Sequence, residues 1–241
     1  MSPDNCQKLR IVGFLMLLVF FLNNGCEKIP FYGIIEGVVE YMVSYPEMAG
    51  RNSPLASLLP SKATMYFNTR YSAVEIAGLM GFFRLNVISD SKGKILRAYL
   101  KVLTTKIYTV YDTTEILRKL GEYPQYCVIE PQHGKRIKYI GLECFRYYMM
   151  SLKPGTPDFE VLVTGEIKTT SPFWYTPFNS MGGFLLKYDI RHFDVYMRFE
   201  ATSVKSVDVP GDIFKHDTSY KYVEPSRFEE EIKLLLKQFS S

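Results

Sequence analysis

A chain of 241 residues with 47% hydrophobic residues can fill a hydrophobic core, which argues against a disordered chain. Its net charge of +4 comes without a long run of Lys or Arg, so the composition also argues against a nucleic-acid binder. Tyr (18) and Phe (17) are frequent, and aromatic residues favour pleated, half-buried strands. The composition therefore predicts a globular and mainly β protein.

The N-terminal segment has the features of an export signal. Lys8 and Arg10 precede an uninterrupted apolar run over residues 11–22. A membrane-spanning helix needs about 20 apolar residues, so this run is too short to cross the bilayer core and is typical of a cleavable signal. We therefore expect an exported protein.

The end of this segment resembles the lipobox of bacterial lipoproteins, in which a small residue precedes a cysteine that is diacylated and becomes the new N-terminus. Gly25 and Cys26 match the pattern, whereas Asn23 stands where a Leu is usual. The resemblance implies a signal peptide over residues 1–25, a lipid on Cys26 that attaches the protein to a membrane, and a tether over residues 26–30. An ordinary signal peptide and an uncleaved anchor are the alternatives.

The rest of the chain is dominated by short runs with the two-residue period of strands. Alternation begins at Val39, Tyr41 and Val43, and later runs are separated by turn signals such as Asp90-Ser-Lys-Gly93. Their regular spacing favours an antiparallel meander, with a hairpin between the last two strands. Strands are predicted over 63–67, 72–77, 82–89, 95–103, 106–111, 125–130, 135–140, 144–152, 158–164, 184–190 and 193–201.

Three segments carry helix signals. A short helix or turn is predicted after Asn52, and a second helix begins with the capping-box pair Asp112 and Glu115. The C-terminal helix is predicted to be capped by Ser226 with Glu229. The apolar stripe of this helix consists of Phe228, Ile232, Leu235, Leu236 and Phe239.

No linker divides residues 31–241, which are therefore predicted to form a single domain.

The sequence carries no motif of a nucleophile, a phosphate loop or a metal site. His133, His192 and His216 lie in or beside predicted turns and are interpreted as solvated side chains. Cys127 and Cys144 are either two buried thiols or a disulfide. We therefore predict a protein that is not an enzyme and has no cofactor; a hydrolase with paired carboxylates is the enzymatic alternative.

An aromatic-rich segment over residues 171–183 contains Trp174, the single tryptophan of the chain. It either folds its aromatic side chains over the edge of the core or forms the mouth of a ligand site. The strand around Tyr147 and Met149 is apolar on both faces and needs cover on both sides. On the second interpretation, the ligand-binding residues are Trp174, Phe173, Phe178, Tyr147 and Met149.

Several short motifs add a resemblance to a family. The export signal with its cysteine, Glu36-Gly-Val-Val-Glu-Tyr41, the Leu-Leu-Pro60 turn before Met65-Tyr-Phe67, Gly141-Leu-Glu-Cys144 and the Thr-Pro-Phe178 loop leading into Gly183-Phe-Leu-Leu-Lys-Tyr188 resemble a family of Gram-negative envelope lipoproteins. That family is similar in fold to the lipoprotein carriers LolA and LolB. The resemblance implies a strongly curved antiparallel sheet, or open half-barrel, with covering helices.

The resemblance also implies a function. In LolA and LolB the apolar concavity holds acyl chains, so we expect an envelope lipoprotein that binds or carries a lipid, an acyl chain or another hydrophobic ligand. It is expected at the outer membrane, facing the periplasm. The alternative is a structural or protein-interaction lipoprotein whose concavity is filled by its own side chains. A continuous apolar cavity of several hundred cubic ångströms favours binding, because pockets for drug-sized ligands have volumes of about 300 to 1,000 Å³, and close packing favours the alternative.

Overall fold

The computed structural model of the chain describes residues 33–48, 59–78, 81, 83–129, 136–192 and 195–240, with the side chains of 238–240 left out. The predicted signal peptide, Cys26, the tether and the helix after Asn52 lie outside these residues, as does His133. The side chain of Phe239 also lies outside the described part.

The described chain forms a 13-stranded sheet and two α-helices. Two short 3₁₀ segments lie at Pro46–Met48 and Gly211–Phe214. The helices are α1 (Thr113–Leu120) and α2 (Pro225–Ser240). The strands are β1 (Gly37–Ser44), β2 (Lys62–Phe67), β3 (Tyr71–Gly78), β4 (Phe83–Asp90), β5 (Ile95–Val102), β6 (Thr105–Tyr111), β7 (Tyr126–Ile129), β8 (Arg136–Tyr139), β9 (Leu142–Ser151), β10 (Phe159–Thr164), β11 (Phe184–His192), β12 (Val195–Lys205) and β13 (Lys221–Tyr222).

Two antiparallel meanders make up most of the sheet. Its order is β13-β6-β5-β4-β3-β2-β1-β12-β11-β10-β9-β7, and β8 also pairs with β9. The predicted hairpin near the C-terminus is confirmed, since β11 and β12 pair with Tyr188 opposite Phe199. The two meanders join where β1 pairs with β12, with Met42 opposite Glu200.

The sheet is curved, and one face is concave. Strands β3 to β6 and strands β11 and β12 line the same cavity, although β1 and β2 lie between them in the sheet. Neighbouring strands are about 4.8 Å apart, so a flat sheet would hold β5 and β12 more than about 20 Å from each other. The predicted fold class is therefore confirmed: a mainly β protein with an open, curved antiparallel sheet and covering helices.

Both helices lie where the sequence predicts them, but one cap differs. The Asp112 side chain accepts a hydrogen bond of 2.9 Å from the backbone N–H of Glu115, so the predicted cap of α1 is confirmed. The predicted cap of α2 at Ser226 is wrong, because the helix already begins at Pro225, a residue whose missing N–H suits the first helical position. The Glu229 side chain instead pairs with Lys119 of α1.

The convex face has a cover that the sequence did not predict. Buried Val209 and Phe214, from the segment after β12, pack against Ala73, Ile88 and Tyr99. This segment lacks strand or helix periodicity, so its packing role does not follow from its pattern. Together with the 3₁₀ segment Gly211–Phe214, it closes part of the convex face.

The two described cysteines are free thiols. Cys127 lies opposite Met150 of β9, and Cys144 lies six residues earlier on that strand. Six residues of a strand span about 20 Å, which is far beyond the separation that a disulfide can bridge. Of the two alternatives for this pair, the structure thus has thiols, although Cys127 is exposed and only Cys144 is buried.

Candidate functional site

An apolar cavity of about 190 Å³ lies between the concave face and its covering elements. The sheet provides one wall, with Val87 of β4, Ala98 of β5 and Met197 of β12 among its lining residues. Phe228 and Ile232 of α2 line the opposite side. The cavity therefore lies under the helices and is lined by both meanders.

Strand alternation explains why the floor of the cavity is apolar. In β3 and β4, Val74, Ile76, Leu85 and Val87 point towards the cavity and are only half-buried, although they belong to the middle of the sheet. Close packing would cover such side chains completely. Their partial exposure is a consequence of the space in front of them.

An ion pair joins the two helices over this space. Lys119 of α1 pairs with Glu229 of α2, and each side chain is only 14% exposed. The Lys119 ammonium also lies 5.0 Å from the centre of the Tyr111 ring, on the concave face. Burial raises the pKa of Tyr111 well above its usual value, so the phenol is neutral. The ion pair fixes α1 against α2 and places one charged group at the edge of the cavity.

A polar recess of about 260 Å³ adjoins the apolar cavity. Lys119, Tyr123 and His192 line both spaces. The Tyr123 hydroxyl and His192 Nδ1 lie 3.0 Å apart, and their rings stack with centres 5.8 Å apart. Burial, with smaller contributions from Lys119 and Lys233, lowers the pKa of His192 to about 4. The imidazole is therefore neutral at pH 7, where it forms part of the boundary between the two spaces.

Two of the five residues predicted to bind a ligand come from the start of the aromatic segment. Phe173 lines the apolar cavity. Trp174 is 8% exposed and lies apart from the cavity lining, where its indole N–H donates a 2.7 Å hydrogen bond to Ser89 Oγ. The Lys94 ammonium lies 4.8 Å from the centre of its ring. The indole thus packs against the β4–β5 end of the sheet.

Phe178, Tyr147 and Met149 also lie apart from the cavity lining. Phe178 is buried and contacts the ring of Tyr188 at 5.6 Å. Met149 is buried in the same core, and Tyr147 is half-buried against it. The structure therefore brings Phe173 and Phe178 together through Tyr188, which lies 5.8 Å from Phe173. Met149 lies opposite Phe159 of β10 and Tyr147 opposite Val161, in the same core.

The sequence interpretation missed the polar residues of the site. The prediction of a solvated turn residue at His192 is wrong, because β11 continues to residue 192 and carries the ring into the boundary between the two spaces. The available signal was the alternation of Leu186, Tyr188 and Ile190, which places His192 on the same face. Lys119 carried no such signal, since its position depends on the contact between two helices.

A larger groove of about 670 Å³ runs along α2. It is lined by the β5–β6 hairpin and by α2, and it exposes Leu103 and Leu234. The described residues contain no group of three metal-ligating side chains. Within the same residues, no helix is both long and apolar enough to cross a bilayer.

The fold and the cavity define a mainly β protein with a curved open sheet and an apolar site under two helices. No known protein family and no curated protein matches the chain. Among solved structures, it is similar to one described as the complex structure of Pseudomonas aeruginosa MucA/MucB, with 8% identity, 78% of this chain and 58% of that chain covered, and a TM-score of 0.32. A structure of MucB in complex with MucA(peri) has 10% identity, 78% and 56% coverage, and a TM-score of 0.32. The chain spans just over half the length of these matched chains.

Proposed function

We propose that the protein binds an apolar ligand, such as an acyl chain, in the cavity under α1 and α2 and does no chemistry on it. The observation that carries the proposal is the apolar space of about 190 Å³ lined by both meanders and by α2. Drug-sized ligands occupy about 300 to 1,000 Å³, whereas an apolar cavity of about 150 Å³ holds a benzene molecule. The space therefore suits one short apolar chain rather than a multi-chain lipid.

The sequence supports a location for this activity. An export signal followed by Gly25-Cys26 suggests a lipoprotein of the cell envelope, with the anchor at the outer membrane. A fully extended chain spans at most about 3.6 Å per residue. The ten residues between Cys26 and Gly37 therefore span no more than about 40 Å, and β1 would lie near the bilayer. Cys26→Ser should abolish labelling by a fatty-acid probe and release the protein into the soluble fraction. Continued labelling would contradict the anchor.

Binding is tested with decanol, a neutral single-chain probe, by calorimetry on the Cys26→Ser protein. We expect saturable binding. Ala98→Leu adds three carbon atoms to the cavity wall and should displace about two methylene groups of the probe, each of which contributes about 0.8 kcal/mol. The affinity should therefore fall about tenfold.

Ala77→Leu is the matched control for this variant. Ala77 is exposed, and the alternation of β3 places it on the opposite face from Ile76. Its substitution should leave decanol binding unchanged. If decanol does not bind to the parent protein, the proposed function is wrong.

The second candidate function is that of a protein-interaction lipoprotein. The observation in its favour is the groove along α2, which exposes Leu103 and Leu234 to solvent. Exposed apolar side chains lining a groove are typical of surfaces that bind other proteins. A failure of decanol to bind would favour this alternative, because the cavity would then be no more than a packing space.

A further inference from the structure

We infer that the ligand is a single-chain amphiphile with an anionic head group, bound with its chain in the apolar cavity and its head in the adjoining polar recess. The inference rests on the proposed function and adds the chemical class of the ligand. The two spaces are adjacent. They share Lys119, Tyr123 and His192 as lining residues, so a chain that fills the cavity can end in the recess.

The charges around the recess favour an anion. Four cationic side chains line it, namely Lys119, Lys153, Arg191 and Lys233, against two acidic side chains, Glu122 and Glu229. The neutral imidazole of His192 adds no charge to this count. A recess with more cationic than acidic groups attracts negative charge, and the adjoining low-dielectric wall strengthens that attraction.

The ion pairs of the recess show where the excess positive charge lies. Both acidic side chains are already paired, Glu122 with Arg118 and Glu229 with Lys119. Arg191 pairs with Glu47. Within the described part of the chain, neither Lys153 nor Lys233 has an acidic partner in ion-pair range, and both are exposed.

Lys153 and Lys233 come from different elements, so their presence at the same recess does not follow from closeness in the sequence. Lys153 lies in the turn after β9, and Lys233 lies on α2. Their approach to one recess depends on the packing of the helix over the sheet. A carboxylate or phosphate there would find two ammonium groups while its chain stays out of water.

The test compares four probes with the same ten-carbon chain: decanoate, decyl phosphate, decanol and decyltrimethylammonium. Binding to the Cys26→Ser protein is measured by calorimetry at low ionic strength. We expect one or both anions to bind about tenfold more tightly than decanol, and the cation to bind more weakly. The advantage of the anion should shrink as salt is added, because exposed charges are screened.

The decisive variant is Lys153→Glu/Lys233→Glu. It should remove the advantage of the anions over decanol while leaving decanol affinity within about twofold. Lys92→Glu/Lys138→Glu is the matched control, since it changes the net charge equally at two exposed lysines outside both spaces. The control should keep the preference for anions.

Each outcome decides one statement. Tighter binding of decanoate identifies a carboxylic acid as the source of the anion, and tighter binding of decyl phosphate identifies a phosphate head group. If decanol binds as tightly as both anions, or if the control variant loses the preference equally, the inferred head group is wrong and the proposed function still holds. If none of the four probes binds, the proposed function fails as well.

Discussion

Two parts of the concave face are covered in different ways. Under the aromatic segment over residues 171–183, the space is filled with rings. Phe184 is fully buried, and the centre of its ring lies 5.1 Å from that of Phe67 and 5.3 Å from that of Phe173. The helices α1 and α2 instead border a space of about 190 Å³, which the strands and the start of the segment, at Phe173, Tyr175 and Thr176, also line. A loop can follow a curved surface, whereas a straight helix touches a concave one only along part of its length. The part of the face under rigid helices is therefore the part with room for a ligand.

Aromatic side chains occur in both parts of the concave face. Tyr188 and Phe199 stack at 5.0 Å, and both rings belong to the filled region and to the cavity wall. Aromatic side chains bury large areas and fill irregular space well. Their concentration in a sequence therefore indicates where a core is closed more directly than where a ligand enters.

The largest expected effect tests the filled region. Phe184→Ala removes a fully buried ring from contacts with two other rings and should reduce the free energy of unfolding by about 3 to 5 kcal/mol. Urea denaturation at neutral pH measures the loss. A loss below about 1 kcal/mol would contradict close packing under the segment.

The helix-covered region should depend on pH through His192. Its pKa is lowered to about 4, so between pH 6.5 and 4 the unfolded chain binds a proton that the folded chain does not. The free energy of unfolding therefore keeps its full value above about pH 6.5 with respect to this group, and it decreases as the pH falls towards 4. Because the ring is partly exposed, the loss should be at most about 3 kcal/mol.

Denaturation of the parent protein and of His192→Gln across this pH range isolates the effect. The variant lacks the titrating group, so its stability should fall less steeply over the same interval. Parallel curves for the two proteins would show that His192 is solvated.

A matched pair of substitutions compares the two regions directly. Ala201→Leu forces three carbon atoms into the filled core and should cost about 1 to 3 kcal/mol. Ala98→Leu adds the same atoms beside the cavity and should cost less than about 1 kcal/mol. Melting temperatures measured side by side give the ranking. Equal losses would mean that the two regions are packed alike.

The smallest expected effect concerns Trp174, whose indole is buried and hydrogen-bonded to Ser89. Its emission should lie at short wavelength and change little when decanol binds. Phe173→Ala should weaken binding because that ring lines the cavity. Saturable quenching of Trp174 by decanol would place the indole at the entrance instead.

Much of the sheet could be predicted from local pattern. Period-two alternation placed Val39, Tyr41 and Val43 on one buried face, and the predicted strands match the observed ones within a few residues. The predicted end of β11 is wrong by two residues. Those two residues include His192, which lines the site. The cap of α1 followed from Asp112, whose partner is three residues away.

The site itself depends on contacts that sequence separation hides. The ion pair between Lys119 and Glu229 joins two helices that are more than 100 residues apart in the sequence. Taken alone, each residue is predicted to be an exposed charge on the surface of a helix. The pairing of β1 with β12 likewise has no local signature. Such features are decided by the curvature of the sheet, which no single segment encodes. Aromatic frequency, by contrast, was visible but ambiguous, and Trp174 and Phe178 lie in the core rather than on the cavity wall.

The central position of β1 constrains the order in which the protein can acquire its structure. β1 is the first described strand, and its neighbour on one side is β12, where Ser203 Oγ donates a hydrogen bond to Glu40, 163 residues away. The first meander can form early, but the two meanders cannot join until nearly the whole chain has been made. Contacts of such long range slow folding. Completion of the sheet is therefore a late and slow step of folding.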